Sequence, residues 1–170
     1  MKQYKTLIKK NFCSIVGVTL LNIFMSFAMV FAGYSLSFLY TAYEYEGDKV
    51  KALIYTFGIV VFIWLFAMFM YYISLLAKSK IQQKLKNELR CMVGKKISVL
   101  PYSKFVEKDS GHYVSWLTND VNEIYSQSFD MLFSGVENLA TAIFSLGALC
   151  LLSPYIGIAA IVLLVIISIL

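Results

Sequence analysis

The sequence predicts an all-α protein that crosses a membrane several times, and three observations carry that prediction. Of its 170 residues, 59% are hydrophobic and 16% aromatic, with a mean hydropathy of +0.72, more apolar surface than a soluble core can bury. The charged residues fall in blocks separated by runs with no Asp, Glu, Lys or Arg, at 11–43, 52–77 and 138–170, each longer than the ~20 residues a spanning helix requires. Between the second and third runs, apolar residues recur at helical spacing through a charged stretch, so the helical pattern outlasts the membrane pattern.

The elements follow in order. Residues 1–10 are basic and precede the first span, 11–43. That run far exceeds the ~7–15 apolar residues of a secretory signal, and no compact small-residue cleavage site follows it. Within it Ala28, Ala32 and Ser35 share one helical face, with Gly33 and Ser37 beside it, and small residues let helices approach closely in lipid. The second span, 52–77, is rich in rings (Phe62, Trp64, Phe66, Phe69, Tyr71, Tyr72) that suit lipid contact or interfacial belts. The third apolar run is broken by Ser153 and Pro154, which favour a tight reversal and divide it into spans at about 131–153 and 155–170. The fourth span has 16 residues, at ~1.5 Å each barely enough for ~30 Å of hydrocarbon. With no flanking anchor after it, the chain reads as a fragment.

Charge sets the orientation, because Lys and Arg near spans stay on the cytoplasmic side. Lys2, Lys5, Lys9 and Lys10 face no acid, whereas the first loop offers Glu44, Glu46 and Asp48 against Lys49 and Lys51; the amino terminus is expected inside. Residues 78–130 carry nine basic and six acidic side chains and are placed in the cytoplasm. In that stretch Ile81, Leu85, Leu89, Met92, Val93, Ile97 and Leu100 repeat at helical spacing until Pro101. Asp109 or Ser110 can cap a second helix, in which Val114, Leu117, Val121 and Ile124 repeat before the third span. Together these make an antiparallel hairpin whose arms, ~35 Å long on the descending side, must bury their apolar stripes against other helices.

At the tip of that hairpin the residues are Leu89-Arg90, Leu100-Pro101, Phe105, Ser110-Gly111, Ser115 and Leu117-Thr118-Asn119-Asp120-Val121. Over roughly 85–130 this resembles the first intracellular loop of ABC exporters, between membrane helices two and three. Departures are Val106 after Phe105, His112 after the glycine, and Trp116 where Arg is common. The resemblance implies four spans of a six-helix exporter transmembrane domain, with helices two and three extended into the cytoplasm. It implies a coupling segment, Pro101, Tyr102, Ser103, Lys104, Phe105 and Val106, docking into a nucleotide-binding domain with Tyr102 and Phe105 as anchors. Ser110, Gly111, Ser115 and Leu117 to Val121 would complete the loop motif. It further implies a nucleotide-binding domain on the same or a separate chain, a second transmembrane half as homo- or heterodimer, and transport between inward-open and outward-open states.

Catalytic chemistry is not expected in this chain. Gly94-Lys95 lacks the first glycine, since residue 89 is Leu, and lacks the hydroxyl, since residue 96 is Lys, so the phosphate loop is missing; ATP and magnesium would belong to the absent domain. No other cofactor or metal is implied, for Cys13, Cys91 and Cys150 form no ligand cluster. His112, the single histidine, has no partner base or nucleophile in sequence and reads as a surface or interface residue. Nothing suggests nucleic acid, because no base-stacking aromatics interleave with a basic groove. Glu137 is the one charge near a membrane core, where an acid costs ~2.5–3.5 kcal/mol on insertion scales, and is the candidate for a substrate pathway. Fourteen lysines to one arginine point to a bacterial plasma membrane. The competing expectation is a self-contained four-helix scaffold or immunity-type membrane protein that binds a partner through its hairpin.

Overall fold

The computed structural model describes residues 2–45, 47–101 and 109–169. All of its regular elements in that range are helical: α1 (Lys2–Tyr34), α2 (Ser37–Glu44), α3 (Lys49–Ser98), α4 (Ser110–Ser115), α5 (Val121–Tyr125), α6 (Met131–Leu152) and α7 (Pro154–Ile169). One π-helical turn (Trp116–Asp120) joins α4 to α5 and a second (Ser126–Asp130) joins α5 to α6.

Three helical stretches, Leu7–Glu44, Lys49–Ser98 and Gly111–Leu152, are long and apolar enough to cross a membrane. The first is not one straight helix as its unbroken apolar run implied. Ser35 Oγ donates to the Ala32 carbonyl at 2.6 Å, and the Leu36 amide turns back to Gly33 at 3.3 Å. That local bonding replaces the regular ladder and separates α2 from α1. α3 has 50 residues without interruption, as expected of a sequence with no internal proline. It ends at Ser98, three residues before Pro101. α7, 16 residues long, amounts to ~24 Å of helix, short of the ~30 Å of hydrocarbon.

The reversal expected at Ser153-Pro154 is present. Pro154 takes the first position of α7, where its missing amide costs nothing. A methyl group on Gly157 would lie 3.2 Å from the Cα of Cys150 and 2.5 Å from its Sγ, whereas residues seven apart in a continuing helix are separated by ~10 Å. A larger residue at 157 would have to displace the Cys150 side chain and press on its Cα.

Two compact units form, Met1–Thr19 with Leu75–Gly135, and Leu20–Ser74 with Val136–Leu170. In the first, Leu7 and Val18 from α1 meet Ile81, Leu85 and Leu89 from α3, and Val121, Tyr125, Phe129 and Phe133 from the returning strand of helix. In the second, Ala28 and Ala32 of α1 pack on Ala67 of α3, with Met29 and Ile63 alongside. The small-residue face foreseen on the first span is thus a helix contact, and Ser35 beside it is also fully buried.

The returning arm departs from the expected register. Val121 is buried as foreseen, but Val114 and Ile124 are exposed, and the buried stripe runs Tyr113, Val121, Tyr125, Phe129 and Phe133. Its last four members are spaced by four, which overshoots a 3.6-residue turn by ~40° at each step. The π-helical turn at 126–130 is wider and takes up that excess, so one face stays turned to the core.

Candidate functional site

The hairpin tip is where the loop motif falls. Pro101 is exposed and follows the turn closed by the Leu100 amide on the Ile97 carbonyl at 3.1 Å. Tyr102, Ser103, Lys104, Phe105 and Val106 lie outside the described residues. Asp109 stands at the N-cap of α4 in an extended conformation, φ −65 and ψ 147, and its carbonyl accepts the His112 amide at 3.0 Å. Its carboxylate makes no capping bond. Ser110 opens the helix and Gly111 is exposed on its first turn.

The remaining motif residues occupy one π-helical turn and its flanks. Thr118 Oγ1 donates to the Val114 carbonyl at 2.8 Å, and Asn119 Nδ2 reaches Ser115 Oγ at 3.4 Å. Leu117 contributes its carbonyl, which accepts Arg90 Nε from α3 at 3.2 Å. Val121 is fully buried and Asp120 is exposed. The motif therefore divides into one core residue, one link between arms, and a polar outer edge.

A hollow of about 420 Å³ opens in this unit, lined by Val93, Lys96, Ile97 and Leu100 of the descending arm and by Trp116, Asp120 and Ile124 of the returning one. Trp116 also sits 4.8 Å from the His112 ring and edge-on to Tyr113 at 5.6 Å. The residue that departs from the resembled pattern is thus part of an aromatic cluster. Lys86 stands over the Tyr125 ring at 5.1 Å, and burial, with Asp130 adding to it, pushes the Tyr125 phenol up to about 12.

Two polar links were not foreseen. Glu88 Oε2 accepts Asn11 Nδ2 at 2.7 Å, and its Oε1 pairs with Lys10 at 3.0 Å, tying the start of α1 to α3 beyond its apolar run. Burial works to raise the Glu88 pKa, but the hydrogen bonds from Lys10 and Asn11 and the charges of Lys10 and Lys84 outweigh it and hold the carboxyl below the usual range. Lys78 bridges to Asp130 at 3.4 Å. The sequence signal available was Asn11, a polar residue at the mouth of an uncharged run.

In the second unit Ser74 Oγ donates to Asn22 Oδ1 at 2.6 Å, and Ser26 Oγ donates to the Asn22 carbonyl at 3.0 Å with the Glu137 carbonyl at 3.4 Å as the alternative. Asn22 Nδ2 is buried without a partner. Glu137 is half-buried on α6, its carbonyl also taken by Thr141 at 2.8 Å. Its carboxylate has neither ion pair nor hydrogen bond among the described residues. The structure therefore puts the loop motif and Glu137 in separate units, and it is the backbone carbonyl of Glu137 that meets Ser26 beside Asn22 and Ser74.

Compared with known families, the chain matches the one described as ABC transporter transmembrane region over residues 11–170. A search of curated proteins finds no match.

Proposed function

The chain belongs to the ABC transporter transmembrane region family, and from that premise we propose that it is the membrane part of an ATP-driven exporter that receives its power stroke through the hairpin 78–130. In this reading the hairpin leaves the bilayer on the cytosolic side, and Pro101 to Val106 dock into a nucleotide-binding domain with Tyr102 and Phe105 as anchors. That domain, on the same chain or another, holds ATP and magnesium and performs the hydrolysis. A second transmembrane half completes the pathway as a homo- or heterodimer, and Glu137 belongs to that pathway. The amino terminus is cytosolic and the membrane is a bacterial plasma membrane.

The observation that carries this reading is the continuous core between the two arms. Ile81, Leu85 and Leu89 face Val121, Tyr125 and Phe129, and the Arg90 link to Leu117 adds a polar tie. A lever must resist bending, and close-packed apolar interiors do so because they have few voids to yield into. A loop serving only to connect two spans needs no such interior.

The test is Phe105→Asp in the complete transporter. A buried aromatic anchor is worth ~2 kcal/mol or more, so association with the nucleotide-binding domain should weaken at least tenfold and ATP-driven transport should fall with it. Unchanged association and transport would remove Phe105 from the coupling interface.

A further inference from the structure

We propose that the exposed lysines where α3 leaves its uncharged run, Lys80 and Lys84, together with Lys10 of α1, bind the phosphate of an anionic phospholipid in the cytosolic leaflet. The inference rests on the cytosolic placement of the amino terminus and the hairpin proposed above and adds a partner to it.

The two neighbouring helices lose their charges at different levels. Asn11 bonds to Glu88, and Ser74 to Asn22, so residue numbers rise along α1 as they fall along α3. Residues 11–19 of α1 therefore run beside about 80–88 of α3, since both helices advance ~1.5 Å per residue. The first stretch has no Asp, Glu, Lys or Arg and exposes Phe12 and Val16. The second carries Lys80, Lys84, Lys86 and Glu88. A level ~12 Å tall thus offers apolar side chains on one helix and ammonium groups on the next. Water suits only the second and hydrocarbon only the first. The interfacial layer of a bilayer suits both, because lysine stems can lie along apolar surface while their heads reach phosphates.

Charge selects the sign of the partner. Residues 1–19 and 75–88, all in the first unit, hold eight lysines and one acid, Glu88. Lys78 is occupied by Asp130, and Lys86 stands over the Tyr125 ring. Lys80 and Lys84 are exposed and have no ion pair among the described residues. Lys84 lies one turn from Glu88 and its charge acts on that carboxylate. Lys10 is held at the same carboxylate at 3.0 Å, while Asn11 takes the other oxygen at 2.7 Å. Two ammonium groups drawn to one carboxylate leave a surplus positive charge on the seam of α1 and α3, with Lys80 one turn nearer the apolar run. A phosphate diester neutralises it, and an anionic membrane surface attracts such a segment about fivefold for each lysine. Free phosphate has no chains to lie against the apolar residues exposed at this level, so the occupant is lipid.

The test titrates the protein in dodecyl maltoside micelles with phosphatidylglycerol or with phosphatidylcholine of the same chains and counts bound lipid by native mass spectrometry. The first phosphatidylglycerol should bind about tenfold or more tighter than the first phosphatidylcholine. Lys80→Gln combined with Lys84→Gln should reduce that preference to about twofold, whereas Lys80→Arg combined with Lys84→Arg should keep it. Lys49→Gln with Lys51→Gln, which removes the same charge from the first loop, should leave it unchanged, and glycerol phosphate at equal concentration should not displace the lipid. Equal affinity for the two lipids, an unchanged preference in the Lys80→Gln, Lys84→Gln protein, an equal loss in the first-loop variant, or displacement by glycerol phosphate would overturn the proposal. Orientation is read separately. With Cys13 and Cys150 replaced by serine, the exposed Cys91 should react with a membrane-impermeant maleimide in inside-out vesicles and not in intact cells; the reverse would overturn the cytosolic reading, while lipid preference in micelles is decided by its own arms.

Discussion

Glu88 shows how a single side chain can fasten one helix to another. It accepts from Asn11, which is 1% exposed, and from Lys10, which is mostly in solvent. The exposed ion pair contributes little on its own, whereas removing the acceptor of a buried amide costs ~1–3 kcal/mol. Glu88→Ala should therefore lower the stability of the first unit by about that amount at neutral pH, with Glu88→Gln milder because its amide oxygen can still accept from Asn11. The carboxyl is held below its ordinary 4.5 in the folded state. Its ionised form stabilises the fold at pH values above the unfolded pKa, and that contribution disappears as pH falls through the lower folded pKa. Thermal unfolding of wild type and Glu88→Gln, followed from pH 7 down to pH 3, should show a gap that begins to narrow as pH falls through about 4.5; a gap independent of pH would show that the charge of Glu88 has no part in the link.

At the scale of elements, the chain depends on where helices stop and on how their turns are wound. Pro101 and Pro154 mark the ends of α3 and the start of α7, because a ring without an amide cannot continue a hydrogen-bonded ladder. The reversal at Ser153 also needs a residue that neither proline supplies. Gly157 lies so near Cys150 that a side chain there would have to push aside the Cys150 Sγ and press on its Cα. Gly157→Leu should destabilise the α6–α7 pair by ~1–3 kcal/mol, read as a lower melting temperature of the purified protein in detergent; an unchanged melting temperature would mean that the two helices separate freely. The returning arm makes the complementary point. Its apolar residues at 121, 125, 129 and 133 form one stripe only because the turn at 126–130 is π-helical.

For the whole molecule, the two units have cores of different kinds. Large side chains interlock around Leu85, Val121 and Tyr125 in the first, whereas Ala28, Ala32 and Ala67 allow close backbone approach in the second. The second suits lipid, where association relies on close packing and polar ties such as Ser74 to Asn22. Val121→Asp, which places an unpaired charge at a fully buried position, should make residues 78–130 sensitive to protease while 20–74 stay protected; simultaneous loss of protection in both would show that they do not fold as separate cooperative units. The sequence by itself determined the helical class, the apolar runs, the break at Ser153-Pro154, the family and the small-residue face, because each is a matter of local composition or period. Tertiary structure decided the register of the returning arm, the bend after Tyr34, the clamp of Glu88 on Asn11 and the tie of Ser74 to Asn22. Those depend on which residues meet across the fold, and a period read along one helix carries no record of its neighbour.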